Sequence, residues 1–139
     1  MSTSIPQLVR VGALRIDVGA PSDEVVSPEG VHRSIPILGG TLDGELGEGV
    51  VLAGGADRQV VHADGSISID ASYEIELADS TLVTVRSVGV RAPHADAIYF
   101  RTGIRFTTSS DRPDLNGHLF VSTGRRAESA VVLELFRLT

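Results

Sequence analysis

Apolar and polar residues alternate along most of this chain, and this two-residue period constrains the fold more than any other feature. The segments Leu14–Val18, Ala71–Leu77 and Ala97–Phe106 all show it. Because successive side chains of a β-strand point to opposite faces, the period predicts strands with one face buried. No segment keeps a helical period for more than two turns, so the sequence predicts an all-β protein.

Turn-forming residues separate the alternating segments at short intervals. Asp64-Gly65 predicts a tight hairpin turn, because this pair accepts positive φ angles. The polar segment Ser22–Gly30 predicts a loop, and Gly39–Gly49 predicts either close backbone packing or a ligand-facing loop. Ser109–Leu115 is polar and contains Pro113, so it cannot form a central strand. Roughly nine or ten short strands remain, which favours one compact antiparallel β-barrel, because closure removes exposed strand edges. We expect a single β-barrel domain over residues 1–139.

The composition excludes several kinds of chemistry. All 12 basic residues are arginine and there is no cysteine, which excludes Schiff-base lysines, P-loops, thiol nucleophiles and disulfides. The four histidines form no recognised metal-binding motif, so we expect neither metal nor cofactor. The formal net charge of −6 argues against nucleic acid or an anionic membrane as a partner.

Two further absences concern localisation. No window is apolar enough for a membrane-spanning helix. The segment Met1–Arg10 lacks a charged region followed by an apolar core, which a signal peptide requires. We therefore expect a cytoplasmic protein.

Asp57 is the first candidate for chemistry. It follows Gly54-Gly55 within a segment that resembles a strand. A bent backbone there would direct the carboxylate into the barrel, where it could act as a general base or anchor a ligand by hydrogen bonds. The alternative is an aspartate at a strand end that binds local backbone amides.

Tyr99 and Arg101 are candidate catalytic residues on one face of a strand. If the Ile98–Phe106 set on the opposite face packs outward, both side chains face the interior. There the phenol and the guanidinium could stabilise an oxyanion. The alternative is that both lie at the surface.

Asn116 and His118 are candidate substrate-binding residues, because they share a face if a strand begins there. An amide beside an imidazole could polarise a carbonyl and move a proton near neutral pH. The alternative for His118 is a surface position at a strand end.

Four motifs occur in a specific order from about Arg33 to the C-terminus. They are Gly39-Gly40-Thr41, Gly54-Gly55-Ala56-Asp57-Arg58-Gln59, Tyr99-Phe100-Arg101-Thr102, and Leu115-Asn116 leading into Leu119-Phe120-Val121. In these motifs the chain resembles the domain-of-unknown-function family three-two-three-seven. The resemblance implies a compact antiparallel β-barrel and no specific chemistry. Arg58 and Asp114 replace tryptophans that the resemblance leads us to expect, and Arg58 becomes a candidate for holding an anion.

These observations predict a small-molecule-binding barrel that performs cofactor-independent acid–base chemistry on a carbonyl-containing metabolite, as an isomerase, cyclase or lyase. The predicted catalytic residues are Asp57, Tyr99 and Arg101, and the predicted substrate-binding residues are Arg58, Asn116 and His118. One alternative is a carrier barrel without turnover. Another is a structural subunit of a homodimer or larger homo-oligomer, held together by outward apolar strand faces.

Overall fold

The computed structural model describes residues 4–139, so the first three residues of the predicted domain and of the Met1–Arg10 segment lie outside the described residues. The described chain contains ten strands and one short helix. In chain order they are β1 Leu8–Val18, β2 Ser22–Ser27, β3 Gly30–Gly44, β4 Gly49–Val51, β5 Ala56–Val61, β6 Ile67–Leu77, β7 Leu82–His94, β8 Ala97–Thr107, α1 Pro113–Asn116, β9 Leu119–Ala127 and β10 Ala130–Leu138.

The strands form a closed antiparallel barrel, which confirms the predicted fold class. Pairing runs from β1 through β10, β9, β8 and β7 to β6, and β4 and β5 then occupy successive positions between β6 and β3. The sheet closes because β1 also pairs with β3 from Gly12 to Val18. The barrel therefore has eight strands around its circumference and two extra strands, and β2 pairs with β3 beyond the end of β1.

Close approach of β1 and β3 depends on glycine. Gly40 has a φ of 142°, which side chains rarely adopt, and a Cβ there would overlap the carbonyl oxygen of Arg15 on β1. The segment from Gly39 to Gly44 thus belongs to β3 and serves backbone packing. This is one of the two alternatives that the glycine pattern predicted.

One end of the barrel, called the closed end here, is filled by apolar side chains. Leu46, in the turn after β3, and Leu115, in α1, are both buried there. The rings of Phe106 and Phe120 pack edge to face with their centroids 4.9 Å apart. Arg112 donates a hydrogen bond of 2.8 Å to the carbonyl oxygen of Leu46, which joins the helix to the turn.

The predicted loop at Ser22–Gly30 contains regular structure, and that prediction was wrong. Ser22–Ser27 forms β2, whose side chains are mostly exposed, with Val26 80% accessible. A strand without a buried face needs no apolar alternation, so the pattern did not reveal it. Within Ser109–Leu115, α1 begins at Pro113, whose missing N–H is no loss in a first helical turn. A four-residue helix is too short to show a helical period.

Candidate functional site

The opposite end of the barrel, the open end, contains a cavity of about 330 Å³. Its walls come from inward positions on β1, β3, β5, β6, β7, β8, β9 and β10, so the site exists only when the barrel is closed. The apolar part of the lining consists chiefly of Ile16, Ile35, Ile37, Ile69, Phe100 and Leu133. Such walls exclude water and strengthen electrostatic contacts made inside them.

Asp57 lies on the inner wall, where β5 pairs with Ile35 of β3 and Ala71 of β6. Its carboxylate accepts two hydrogen bonds, one of 2.7 Å from the Gln59 amide and one of 3.2 Å from the Asp70 backbone N–H. Burial raises the pKa of Asp57 above its ordinary value, although both hydrogen bonds act in the opposite direction. The inward orientation is the predicted one, and the catalytic role stays a prediction.

A chain of hydrogen bonds joins Asp57 to a cation. Gln59 occupies the next inward position on β5, and its side-chain oxygen accepts a hydrogen bond of 2.9 Å from Nε of Arg33. Arg33 lies directly across the ladder on β3. The carboxylate therefore feels the charge of Arg33, which lowers the pKa of Asp57 and partly offsets its burial.

Tyr73 presents a free hydroxyl beside this carboxylate. The residue is 3% accessible, and among the described residues nothing forms a hydrogen bond with its phenolic oxygen. Burial raises the pKa of Tyr73, and the nearby charge of Asp57 raises it further. The phenol thus stays protonated near neutral pH and can donate a hydrogen bond to a ligand.

Two more arginines line the cavity. Arg91 on β7 lies between Ile67 of β6 and Phe100 of β8, and its Nε atom is buried without a partner among residues 4–139. Arg126 on β9 is exposed and lies opposite Val131 of β10. Arg33, Arg91 and Arg126 are referred to below as the arginine group.

The predicted inward orientation of Tyr99 and Arg101 was wrong. On β8 it is Phe100, Thr102 and the following alternate residues that are buried, so the opposite face points to solvent. Tyr99 is 44% accessible, and the guanidinium of Arg101 lies 5.2 Å from the centre of its ring. The two residues form a surface contact on the outside of the barrel, away from the cavity lining.

The three predicted substrate-binding residues also lie outside the cavity. Arg58 alternates with Asp57 on β5 and is exposed on the outer surface. Asn116 binds the backbone of Thr108 and Ser110 through three hydrogen bonds, and His118 donates from Nδ1 to the carbonyl oxygen of Pro113 at 3.0 Å. Both stabilise the connection at the closed end, so the predicted convergence with Asp57 was wrong.

The sequence reasoning missed the arginine group, Gln59 and Tyr73 as site residues. A usable signal was present, because Arg33 is in phase with Ile35 and Ile37, and Arg91 is in phase with Val83 and Val85. A charged residue in phase with a buried strand face indicates an interior polar site.

Within residues 4–139 the structure contains neither a metal-binding cluster nor a membrane-spanning helix. No group of three or more histidine, aspartate or glutamate side chains is arranged to hold a metal ion. The one helix in this range is far too short to cross a bilayer.

Comparison with known proteins places the chain in a family. The family model described as "Protein of unknown function (DUF3237)" matches residues 6–138. A UPF0311 protein of Rhodopseudomonas palustris strain CGA009 is 35% identical over 124 residues, which cover 78% of this chain and 81% of that protein.

Solved structures show the same fold. The crystal structure of a β-barrel-like protein from Acinetobacter baumannii matches with a TM-score of 0.93 and 30% identity, covering 99% of each chain. That of an enzyme from Penicillium herquei matches with a TM-score of 0.81 and 22% identity, covering 100% of this chain and 98% of the other, and shows likeness of fold. The chain therefore belongs to the DUF3237 family of proteins of unknown function.

Proposed function

We propose that the barrel binds a small carbonyl-containing metabolite in the open-end cavity and catalyses cofactor-independent acid–base chemistry on it. The carrying observation is the placement of Asp57 and Tyr73 on the wall of one apolar cavity. The first is a half-buried carboxyl with a raised pKa, and the second is a protonated phenol whose hydroxyl has no partner among the described residues. This pair supplies a base and an oxyanion donor.

The proposed step is a proton transfer. The Asp57 carboxylate removes a proton from carbon adjacent to the substrate carbonyl, and the electron pair moves onto the carbonyl oxygen. The phenol of Tyr73 donates a hydrogen bond to that oxyanion. Return of the proton at another atom gives an isomerase, attack of the enolate carbon on an internal electrophile gives a cyclase, and expulsion of a leaving group from the β-carbon gives a lyase.

The raised pKa of Asp57 suits this role. A carboxyl with a higher pKa is a stronger base once ionised, and it releases the abstracted proton less readily than an exposed aspartate. Gln59 and the Asp70 backbone N–H fix its orientation. The Penicillium herquei protein of the same fold is described as an enzyme, which supports catalysis by a barrel of this kind.

A carrier without turnover is the second candidate. It is favoured by the aliphatic lining and by the apolar side chains, including Leu46 and Leu115, that fill the closed end. Native mass spectrometry would detect a co-purified ligand and also count subunits.

Assembly through the outer face, where Val88, Val90 and Ile98 are exposed, stays a prediction.

The decisive experiment is hydrogen exchange into substrate candidates. A panel of carbonyl metabolites is incubated with the protein in D₂O, and NMR and mass spectrometry follow deuterium incorporation, isomerisation and cleavage. We expect Asp57→Asn to slow exchange by about 10²- to 10⁴-fold, the usual contribution of a general base. Tyr73→Phe should also slow it, whereas Arg105→Gln, at an exposed position on the outside of β8, should not.

Two outcomes would contradict the proposal. A folded Asp57→Asn variant with the wild-type exchange rate would remove Asp57 from catalysis. Tight binding of panel members with no exchange by any protein would favour the carrier.

A further inference from the structure

We propose that the arginine group holds the carboxylate of the substrate, so that the ligand is an anionic carbonyl compound with an apolar body. This inference rests on the proposed binding function and adds the substrate class. Arg33, Arg91 and Arg126 lie outside the four motifs of the family resemblance and line the cavity.

The fold brings three separate strands together to make this group. Arg33 lies opposite Gln59, Arg91 lies opposite Phe100, and Arg126 lies opposite Val131. Each of these three partners also lines the cavity. All three arginines thus line one cavity, although Arg33 and Arg126 are 93 positions apart in the sequence.

The arginine group has no carboxylate partner within residues 4–139, and neither do several exposed arginines outside the cavity, such as Arg58 and Arg105. Arg15, Arg86, Arg112 and Arg137 each form an ion pair with an aspartate or glutamate. Arg33 donates a hydrogen bond from Nε to Gln59, which leaves its two terminal nitrogens available for a ligand. The Nε of Arg91 is buried without a partner among the described residues. A buried donor such as the Nε of Arg91 is costly to leave unpaired, which favours a ligand that accepts from the Arg91 guanidinium.

The charges that line the cavity favour an anionic ligand, and the partly buried charges among them favour a ligand with one negative charge. Asp57 is the one carboxylate among the described lining residues, against three arginines, in a chain whose net charge is −6. Arg126 is exposed and screened by solvent, whereas Arg33 and Arg91 are half-buried. Together with Asp57, those two leave one positive charge, which a monoanionic carboxylate neutralises by forked hydrogen bonds to a guanidinium.

The position of the group also orients the substrate. Arg91 pairs with Ile67 at the start of β6, whereas Tyr73 and Ala71, the β6 partner of Asp57, lie further along that strand, towards the closed end. A carboxylate held at the opening therefore directs the apolar body and the reactive carbonyl inward. The cavity is near the lower end of the usual range of about 300 to 1,000 Å³ for ligand pockets, which suits a small metabolite.

Matched probes test the inference. Phenylalkanoates of increasing chain length, the corresponding carboxamides and phenylalkyl phosphates are titrated into the full chain by calorimetry. Displacement of the neutral dye Nile red reports separately whether the cavity binds apolar molecules at all. We expect the best carboxylate to bind at least about tenfold more tightly than its carboxamide. Arg91→Gln should abolish that preference, and Arg33→Gln should reduce it.

Arg105→Gln is the matched control, because it removes one positive charge from the exposed outer face of β8. It should leave the preference unchanged, and thermal denaturation verifies that each variant is folded. If Nile red binds, equal binding of carboxylates and carboxamides overturns the inference, and so does the failure of every carboxylate to bind. In both cases the binding of Nile red still supports the proposed binding function. Preferential binding of the phosphates overturns the carboxylate assignment. Failure of Nile red and of all probes to bind instead overturns the proposed binding function.

Discussion

The side-chain amide of Gln59 donates a hydrogen bond of 2.7 Å to a carboxylate oxygen of Asp57. The two residues occupy successive inward positions on β5, with Arg58 pointing outward between them. Because the oxygen of the same amide accepts from Arg33, the amide cannot rotate by half a turn without losing both hydrogen bonds. Gln59 therefore fixes the orientation of the Asp57 carboxylate and transmits the influence of a cation to it.

Replacing Gln59 should raise the pKa of Asp57. The amide hydrogen bond lowers this pKa, so Gln59→Leu removes a favourable contact of the ionised form. Carboxyl ¹³C chemical shifts followed against pH give the pKa in each protein. Arg58→Met on the outer face of β5 is the control and should leave it unchanged. An unchanged or lower pKa in Gln59→Leu would show that the amide does not stabilise the carboxylate.

Asp57 should make stability depend on pH in a definite direction. Its pKa in the folded protein is raised above the ordinary value of 3.8. The free energy that protonated Asp57 contributes to folding is therefore fully present below pH 3.8 and is lost as pH rises through the pKa of the folded protein. We expect the free energy of unfolding of the wild type, minus that of Asp57→Asn, to be constant well below pH 3.8 and to fall as pH rises from there through the raised pKa of the folded protein. Urea denaturation across this range measures the difference, and a rise with pH would contradict it.

Removing the hydroxyl of Tyr73 should cost no stability. The ring is buried in the core, but its oxygen has no hydrogen-bond partner among the described residues. Tyr73→Phe keeps the ring and removes the unpaired group, so we expect the free energy of unfolding to rise by about 1 kcal/mol. Turnover should fall at the same time. Tyr99→Phe, on the outer surface, should alter neither quantity, and a large loss of stability in Tyr73→Phe would reveal a partner for the hydroxyl.

Asn116 should matter for stability and not for ligand binding. Its side chain makes three hydrogen bonds to the backbone of Thr108 and Ser110 at the closed end. We expect Asn116→Ala to lower the free energy of unfolding by about 1 kcal/mol. His118→Ala, which removes a single exposed hydrogen bond, should cost less. Reduced affinity for the phenylalkanoate probes in a folded Asn116→Ala variant would return this residue to the binding site.

The strands with a buried face were predictable, and the elements without one were not. The alternation over Ala71–Leu77 reflects real burial of Tyr73 and Ile75, and Asp64-Gly65 forms the turn between β5 and β6. β2 lies at the edge of the barrel with both faces exposed, so burial left no pattern in its sequence. Of the predicted site residues, Asp57 alone lines the cavity.

The sequence by itself determined that this chain forms an all-β barrel without lysine or cysteine chemistry, because strand periodicity and composition are local properties. Only the tertiary structure decided which face of each strand is interior. A period of two is symmetric, so Tyr99 and Phe100 were equally acceptable as inward residues until closure placed Phe100 inside. The arginine group and Tyr73 likewise became one site because hydrogen bonds between strands that are distant in sequence closed the sheet around them.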